Sequence, residues 1–141
     1  MFLTFTVISL IICVTVIIHY EVLYQLALQL PKLTTRPRFR VLSGVFIILL
    51  AHIIEVWLFA LGYYLMINVD GLGSLVGNFD QSFLDCTYYS FTTYSTLGFG
   101  DIEPSGHIRF LTGLESLTGL VMITWSASFL FLEMQKYWPK K

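Results

Sequence analysis

Three long apolar runs are the feature that most constrains how this chain can fold. They extend from Phe2 to about Tyr20, from Val41 to about Ile67, and from roughly Ile108 to Glu133. Crossing a hydrocarbon core takes about 20 apolar residues in a helix. Lipid offers no partner to an unpaired backbone group, so each run must be helical. The sequence therefore predicts three transmembrane helices, the first continuing as an amphipathic stretch to Leu30.

The composition excludes most soluble classes of protein. Only 12% of the 141 residues are charged, whereas 56% are hydrophobic. An ordinary soluble domain has about 25% charged residues, so a soluble enzyme, a nucleic-acid binder and a disordered regulator are all disfavoured. No cofactor motif and no nucleophile with an adjacent base occurs in the sequence. We expect the lipid bilayer as a partner, with no enzymatic activity, resident cofactor or nucleic acid.

The distribution of basic residues predicts the orientation. Of the eight Lys and Arg residues, four lie between residues 31 and 40, three lie after residue 135, and only Arg109 lies between the second and third runs. Basic loops stay in the cytoplasm. We therefore expect a multi-pass protein of the plasma membrane (the inner membrane, if bacterial), with its N-terminus outside and its C-terminus cytoplasmic.

A short helix is predicted between the second and third spans. Residues 68–80 have the glycine and Asn/Asp density of a loop. Ser82-Phe-Leu-Asp85 is typical of a helix start. A helix over residues 82–94 covers only about half of a bilayer. Such a helix either caps the membrane or re-enters it, and re-entry requires that the returning chain be buried in protein or line water.

The segment after this helix, Thr96-Leu-Gly-Phe-Gly-Asp101, favours re-entry. Its two alternating glycines allow a positive φ at every second position. Successive carbonyls can then point to the same side, and several subunits can stack them as oxygen rings that replace the water shell of a cation. The Thr96 hydroxyl can add an innermost ring. The preceding helix points about half an elementary negative charge at the ion path.

This hexapeptide resembles the Thr-Val-Gly-Tyr-Gly-Asp signature of the potassium-channel pore-loop family, and the resemblance extends over roughly residues 45–134. It implies an all-α membrane protein with three transmembrane helices, a re-entrant pore helix and a selectivity-filter loop. It also implies a homotetramer, since a family filter takes four loops. The implied function is passive, potassium-selective conduction, with K⁺ as the transported ligand.

The resemblance also divides the chain. A pore domain over residues 41–134 follows an N-terminal helix with a basic loop (1–40) and precedes a short tail (135–141). Within the pore domain it implies an outer helix, a pore helix, a filter and an inner helix over residues 41–67, 82–94, 96–100 and 108–134.

Residue roles follow from the matched positions. The carbonyls of Thr96, Leu97, Gly98 and Phe99 would bind K⁺, with Gly100 closing the outer end. Asp101 would lie behind the outer mouth, and Tyr88 and Tyr89 would belong to an aromatic cuff around the filter.

Two residues depart from the signature. Leu97 replaces valine, and Phe99 replaces tyrosine and lacks the hydroxyl that would bond to the cuff. We expect the outer end of the filter to be held less firmly. A weakly selective cation channel and a non-conducting membrane subunit therefore remain alternatives. The first span has no counterpart in the minimal two-helix plan of the family.

Ionisable residues within the spans are costly unless they are paired or face water. His52 and Glu55 share one helix face. They form either a proton-responsive pair that biases the pore or a polar contact that fixes the outer helix. As a metal site they lack ligands. His19 is interpreted as interfacial.

Glu115 and Gly119 are candidates in the third span. We expect Glu115 to pack behind the pore helix near Thr92 or Thr93, and all three residues to support the filter. Gly119 is either a gating hinge or a small residue that allows close helix packing.

Overall fold

The computed structural model describes residues 2–33 and 36–137. Its helices are α1 (Phe2–Gln29), α2 (Pro37–Ile67), α3 (Phe83–Tyr94) and α4 (Ile108–Tyr137). A single 3₁₀ turn, Leu30–Lys32, follows α1, and two short strands are β1 (Leu75–Gly77) and β2 (Ile102–Pro104). Residues 138–141, most of the expected tail, lie outside this description, as do residues 1, 34 and 35.

Three of the helices are long and apolar enough to cross a membrane, over Phe5–Lys32, Arg38–Ile67 and Ile108–Lys136. The prediction of an all-α membrane protein is confirmed. α2 begins at Pro37 rather than at residue 41, because proline is favoured in the first turn, where its missing N–H is not needed. The first helix is continuous from Phe2 to Gln29, so it does not end with the apolar run near Tyr20.

The short helix α3 packs between α2 and α4. Its start is fixed by the side chain of Ser82, which accepts a hydrogen bond of 3.0 Å from the backbone N–H of Asp85. The Asp85 carboxylate in turn accepts a 2.8 Å bond from the backbone N–H of Asp80. At 12 residues, α3 is about 18 Å long.

An antiparallel ribbon joins the segments on either side of α3 and the predicted filter. Leu75 pairs with Pro104 and Gly77 with Ile102, and the N–H of Asn78 donates a 2.9 Å bond to the carbonyl of Asp101. The expectation of a plain loop over residues 68–80 was wrong here. The ribbon ties the segment before α3 to the segment after the filter.

The core lies where α2 meets α3 and α4. Phe59, Tyr63 and Leu111 have no exposed surface. The first helix contributes Ile8 to the same cluster, so it is packed into the body of the protomer. In a water-soluble protein, burying one large apolar side chain contributes roughly 1.5–3 kcal/mol to stability. Between helices in lipid this hydrophobic contribution is absent, and close van der Waals packing holds the helices together.

Candidate ion-conduction site

The backbone of the predicted filter has an alternating conformation. The φ angles are 60° at Thr96, 53° at Gly98 and 78° at Gly100, whereas Leu97 and Phe99 do not adopt positive φ. The alternation expected from Gly98 and Gly100 therefore includes Thr96 as well, two residues before Gly98. Threonine is a β-branched residue. Positive φ is a genuine outlier for such a residue. The surrounding structure must hold Thr96 in place.

The pore helix holds the filter through its last carbonyls. The carbonyl of Thr92 accepts bonds from the N–H groups of Leu97 (2.8 Å) and Gly98 (3.0 Å), and that of Thr93 accepts from the N–H of Thr96 (2.9 Å). The peptide bonds of the described residues are all trans. In a trans peptide the C=O points opposite to the following N–H. The carbonyls of Thr96 and Leu97 therefore both point away from α3.

These carbonyls lie on an open flank of the protomer. Residues 95–100 are exposed, and within the described part of the chain the carbonyls of residues 96–100 accept no hydrogen bond. Thr92 and Thr93, expected to support the filter, do so through their backbone. The Thr92 hydroxyl donates to the carbonyl of Tyr89 at 2.9 Å.

Tyr88 and Tyr89 have different neighbours. The Tyr88 hydroxyl donates a 2.8 Å bond to Asp101, and its ring stacks on Phe99 with centroids 6.4 Å apart. The bond to Asp101 raises the pKa of Tyr88. Tyr89 packs edge-on against the ring of Tyr63 and lines a cavity together with Gly98 and Phe99. Tyr88 is therefore the member of the expected pair that stacks on Phe99 and bonds to Asp101.

Glu115 is fully buried behind the pore helix. It forms hydrogen bonds with the hydroxyls of Tyr63 and Ser90. Glu115 was expected behind this helix near Thr92 or Thr93, and its hydrogen-bond partners are Tyr63 and Ser90. Ser90 lies on the face of α3 that packs on α2 and α4, and its Oγ is also 2.9 Å from the carbonyl of Val56.

A second buried polar group joins all four helices. We call it the histidine cluster: His19 of α1, His52 and Glu55 of α2, Tyr94 of α3 and Ser126 of α4. Nδ1 of His19 lies 2.9 Å from Glu55 Oε1, and Nδ1 of His52 lies 3.0 Å from Glu55 Oε2. The Tyr94 hydroxyl donates to Glu55 Oε2. Oγ of Ser126 is 3.2 Å from Nε2 of each histidine.

The pairing of His52 with Glu55 is thus observed, but the sequence did not reveal its other partners. His19 is 1% exposed, so its interpretation as an interfacial residue was wrong. The missed signal was a histidine inside an apolar run, which needs a polar partner at membrane depth.

Gly119 lies against the end of the pore helix. A Cβ built there would be 2.9 Å from Cγ of Tyr94 and would collide with its carbonyl oxygen. The absence of a side chain is therefore what allows α4 to approach Tyr94.

The comparison with known families covers this whole region. Residues 51–136, more than half of the 141-residue chain, match the family described as “Ion channel”. No curated protein and no solved structure matches. The match begins within α2 and continues through α3 and residues 96–100 almost to the end of α4. It therefore includes every residue of the predicted filter. The chain belongs to the ion channel family.

Proposed function

We propose that this chain forms a potassium-selective channel in which four copies conduct K⁺ passively through residues 96–100. The observation that carries the proposal is the direction of the filter carbonyls. Those of Thr96 and Leu97 point away from the pore helix and accept no hydrogen bond from the described residues. A carbonyl without a hydrogen-bond donor is a ready ligand for a cation that gives up its water.

The pore helix adds to the attraction for a cation. α3 ends at Tyr94, two residues before Thr96. The end of a helix has about half an elementary negative charge from its unpaired carbonyls. Directed at the ion path, this charge favours cations over anions.

Assembly of four copies is supported by what one copy leaves uncovered. Leu97 is 60% exposed and Phe99 is 63% exposed. On α4, Leu117 and Val121 are also exposed. Apolar side chains this exposed beside an open polar backbone need cover from another surface. Neighbouring copies supply that cover, and one loop from each copy completes the oxygen rings.

The distribution of basic residues supports an orientation in the plasma membrane (the inner membrane of a bacterium) with the N-terminus outside. The filter then follows α3 towards the outer surface, and the ribbon of β1 and β2 lies at the outer mouth.

A weakly selective cation channel is the second candidate, and Phe99 favours it. The Phe99 ring stacks on the ring of Tyr88, but Phe99 has no hydroxyl that could form a hydrogen bond there. The Phe99 side chain is thus held by stacking alone, so this end of the filter deforms more easily and holds the geometry of its ion sites less firmly.

The proposal is tested by ion flux from liposomes that contain the purified protein. We expect K⁺ efflux to exceed Na⁺ efflux, and Gly98→Asp to abolish both, because Gly98 has a φ of 53° in the filter. Gly71→Asp is the matched control: Gly71 also has positive φ (84°) and open space around it, but it lies in the outer loop. Equal fluxes of K⁺ and Na⁺ would support the weakly selective channel, and no flux of either would contradict conduction.

A further inference from the structure

The histidine cluster has no place in the conduction mechanism, yet it places three ionisable side chains and a tyrosine in one buried site. His19 and Glu55 are 1% and 0% exposed, and the His52 side chain is 16% exposed. Groups of this kind at membrane depth are expensive to keep and mark a function by default. Their protonation can be worked out by counting hydrogens.

Both histidines must donate from Nδ1. A carboxylate accepts hydrogen bonds only, and each of its oxygens faces one Nδ1. If both imidazoles are neutral, both Nε2 atoms are then acceptors. They face the single hydroxyl of Ser126, which has one hydrogen to give. One of the two contacts would be left without a hydrogen.

One added proton completes the network. An imidazolium donates from both nitrogens, so its Nε2–H bonds to Ser126 Oγ, and the Ser126 hydroxyl donates to Nε2 of the other histidine. The positive imidazolium then balances the negative Glu55, and the cluster is neutral as a whole. A neutral cluster is also the arrangement that costs least in a low-dielectric interior.

The distances and the charge of the cluster disfavour a metal ion. One ring nitrogen of each histidine and one Glu55 oxygen lie within 4.8 Å of one another, and the direct contacts of 2.9 and 3.0 Å between Nδ1 and the carboxylate are hydrogen-bond lengths. A divalent ion beside one carboxylate would leave an unbalanced positive charge in the membrane interior. A proton does not.

We propose that the histidine cluster binds one proton, shared between His19 and His52 against Glu55, and that losing this proton weakens the support of the filter. The second half of this statement rests on the proposed function. The groups that face the shared proton are His19 from α1, His52 and Glu55 from α2 and the Tyr94 hydroxyl from α3. Among the described residues of α4, the neutral Ser126 and the ring of Trp125 contact the histidines, and the ionisable Glu115 interacts electrostatically with Tyr94.

The link to the filter runs through Tyr94. Its hydroxyl donates to Glu55 and lies 3.0 Å from Nδ1 of His52. Tyr94 is the last residue of α3. Two residues earlier in this helix, the carbonyl of Thr92 accepts hydrogen bonds from the amides of Leu97 and Gly98. When the proton leaves, the cluster becomes negative and one contact with Ser126 becomes repulsive. The repulsion between Ser126 and one histidine then displaces the ring that contacts Glu55 and Tyr94, so we expect the position of Tyr94 to change and K⁺ flux to fall as pH rises.

The proton is tested directly by ¹⁵N NMR of histidine-labelled full-length protein in liposomes. The chain has three histidines, and the exposed His107 is assigned by His107→Gln. We expect one imidazolium and one neutral imidazole protonated at Nδ1, with the imidazolium lost at high pH. Two neutral histidines at every pH would overturn the proposal. So would two neutral histidines protonated at Nε2 whose signals change on adding a chelator, the signature of bound metal.

The consequence is tested by K⁺ flux against pH. Wild-type flux should fall as pH rises through the range in which the NMR signal of the imidazolium is lost, and it should level off above that range. His19→Gln should remove this dependence, whereas His107→Gln should keep it. Ser126→Ala removes one hydroxyl and leaves both histidines in place, so it should shift the pH at which half of the flux is lost. A pH response unaltered in both cluster variants would overturn the link to the filter. Absence of flux at every pH would overturn the proposed function alone, and the NMR experiment would still decide the proton.

Discussion

Replacing Gly119 by alanine separates a packing role from a hinge role. The added Cβ would meet the carbonyl oxygen of Tyr94 and lie 2.9 Å from its carbonyl carbon and from its ring Cγ. The first two atoms are backbone and cannot rotate away, so α4 or α3 must move. Overpacking of this kind costs roughly 1–3 kcal/mol. Alanine recovers up to about 1 kcal/mol through its higher helix propensity, so we expect a net loss of stability.

The assay is thermal unfolding of the purified protein in detergent, with Gly113→Ala as the matched control. Gly113 lies in the same helix, and a Cβ there meets no atom within 4 Å. We expect Gly113→Ala to be at least as stable as the wild type and Gly119→Ala to unfold at a lower temperature. If both variants are equally stable, the packing argument is refuted. Unchanged stability with altered opening of the channel would favour the hinge.

Three further substitutions test the surroundings of the filter. Glu115→Ala leaves the buried Tyr63 hydroxyl with only a 3.4 Å contact to Thr112, whereas Ser90 keeps the carbonyl of Val56; the loss costs about 1–3 kcal/mol, which thermal unfolding should show, and the exposed Glu21→Ala should not. The bond to Asp101 raises the pKa of Tyr88, so its contribution to stability is complete below the ordinary tyrosine value of about 10 and is lost as pH rises through the raised value; Tyr88→Phe should remove this alkaline decline in unfolding temperature. Phe99→Tyr should raise selectivity for K⁺ in mixed K⁺/Na⁺ and slow any loss of current, and no change in either would show that the missing hydroxyl is irrelevant.

The parts of the fold that the sequence predicted are those governed by local rules. The three spans follow from hydrophobic length alone, and the start of α3 follows from the capping residues Ser82 and Asp85. The glycine spacing predicted positive φ at Gly98 and Gly100. Each of these depends on residues close together in the chain.

The parts that the sequence did not predict depend on contacts between distant segments. Strands β1 and β2 have three residues each and contain a glycine and a proline, so neither shows strand periodicity. Their pairing exists because α3 and the filter bring the two segments together. Positive φ at Thr96 is likewise imposed by the carbonyl of Thr93, since threonine does not favour that conformation.

Side-chain partners in the membrane show the same limit. His52 and Glu55 are three residues apart, so their pairing was predictable from helix geometry. His19 lies 36 positions from Glu55, and nothing in the local sequence fixes how α1 rotates against α2. The partners of Glu115 were missed for the same reason, because the rotation of α3 decides whether Ser90 or Thr92 faces α4.

Residues 96–100 of four copies, as we propose, enclose a row of dehydrated monovalent cations. Crystals of the assembled protein soaked with Tl⁺, a strong scatterer close to K⁺ in size, make such ions visible by diffraction. We expect a fourfold axis beside Thr96–Gly100, with anomalous peaks in line along it between the carbonyl rings. A protomer whose residues 96–100 lie on the outer membrane surface, or away from any symmetry axis and without ion peaks, would contradict it.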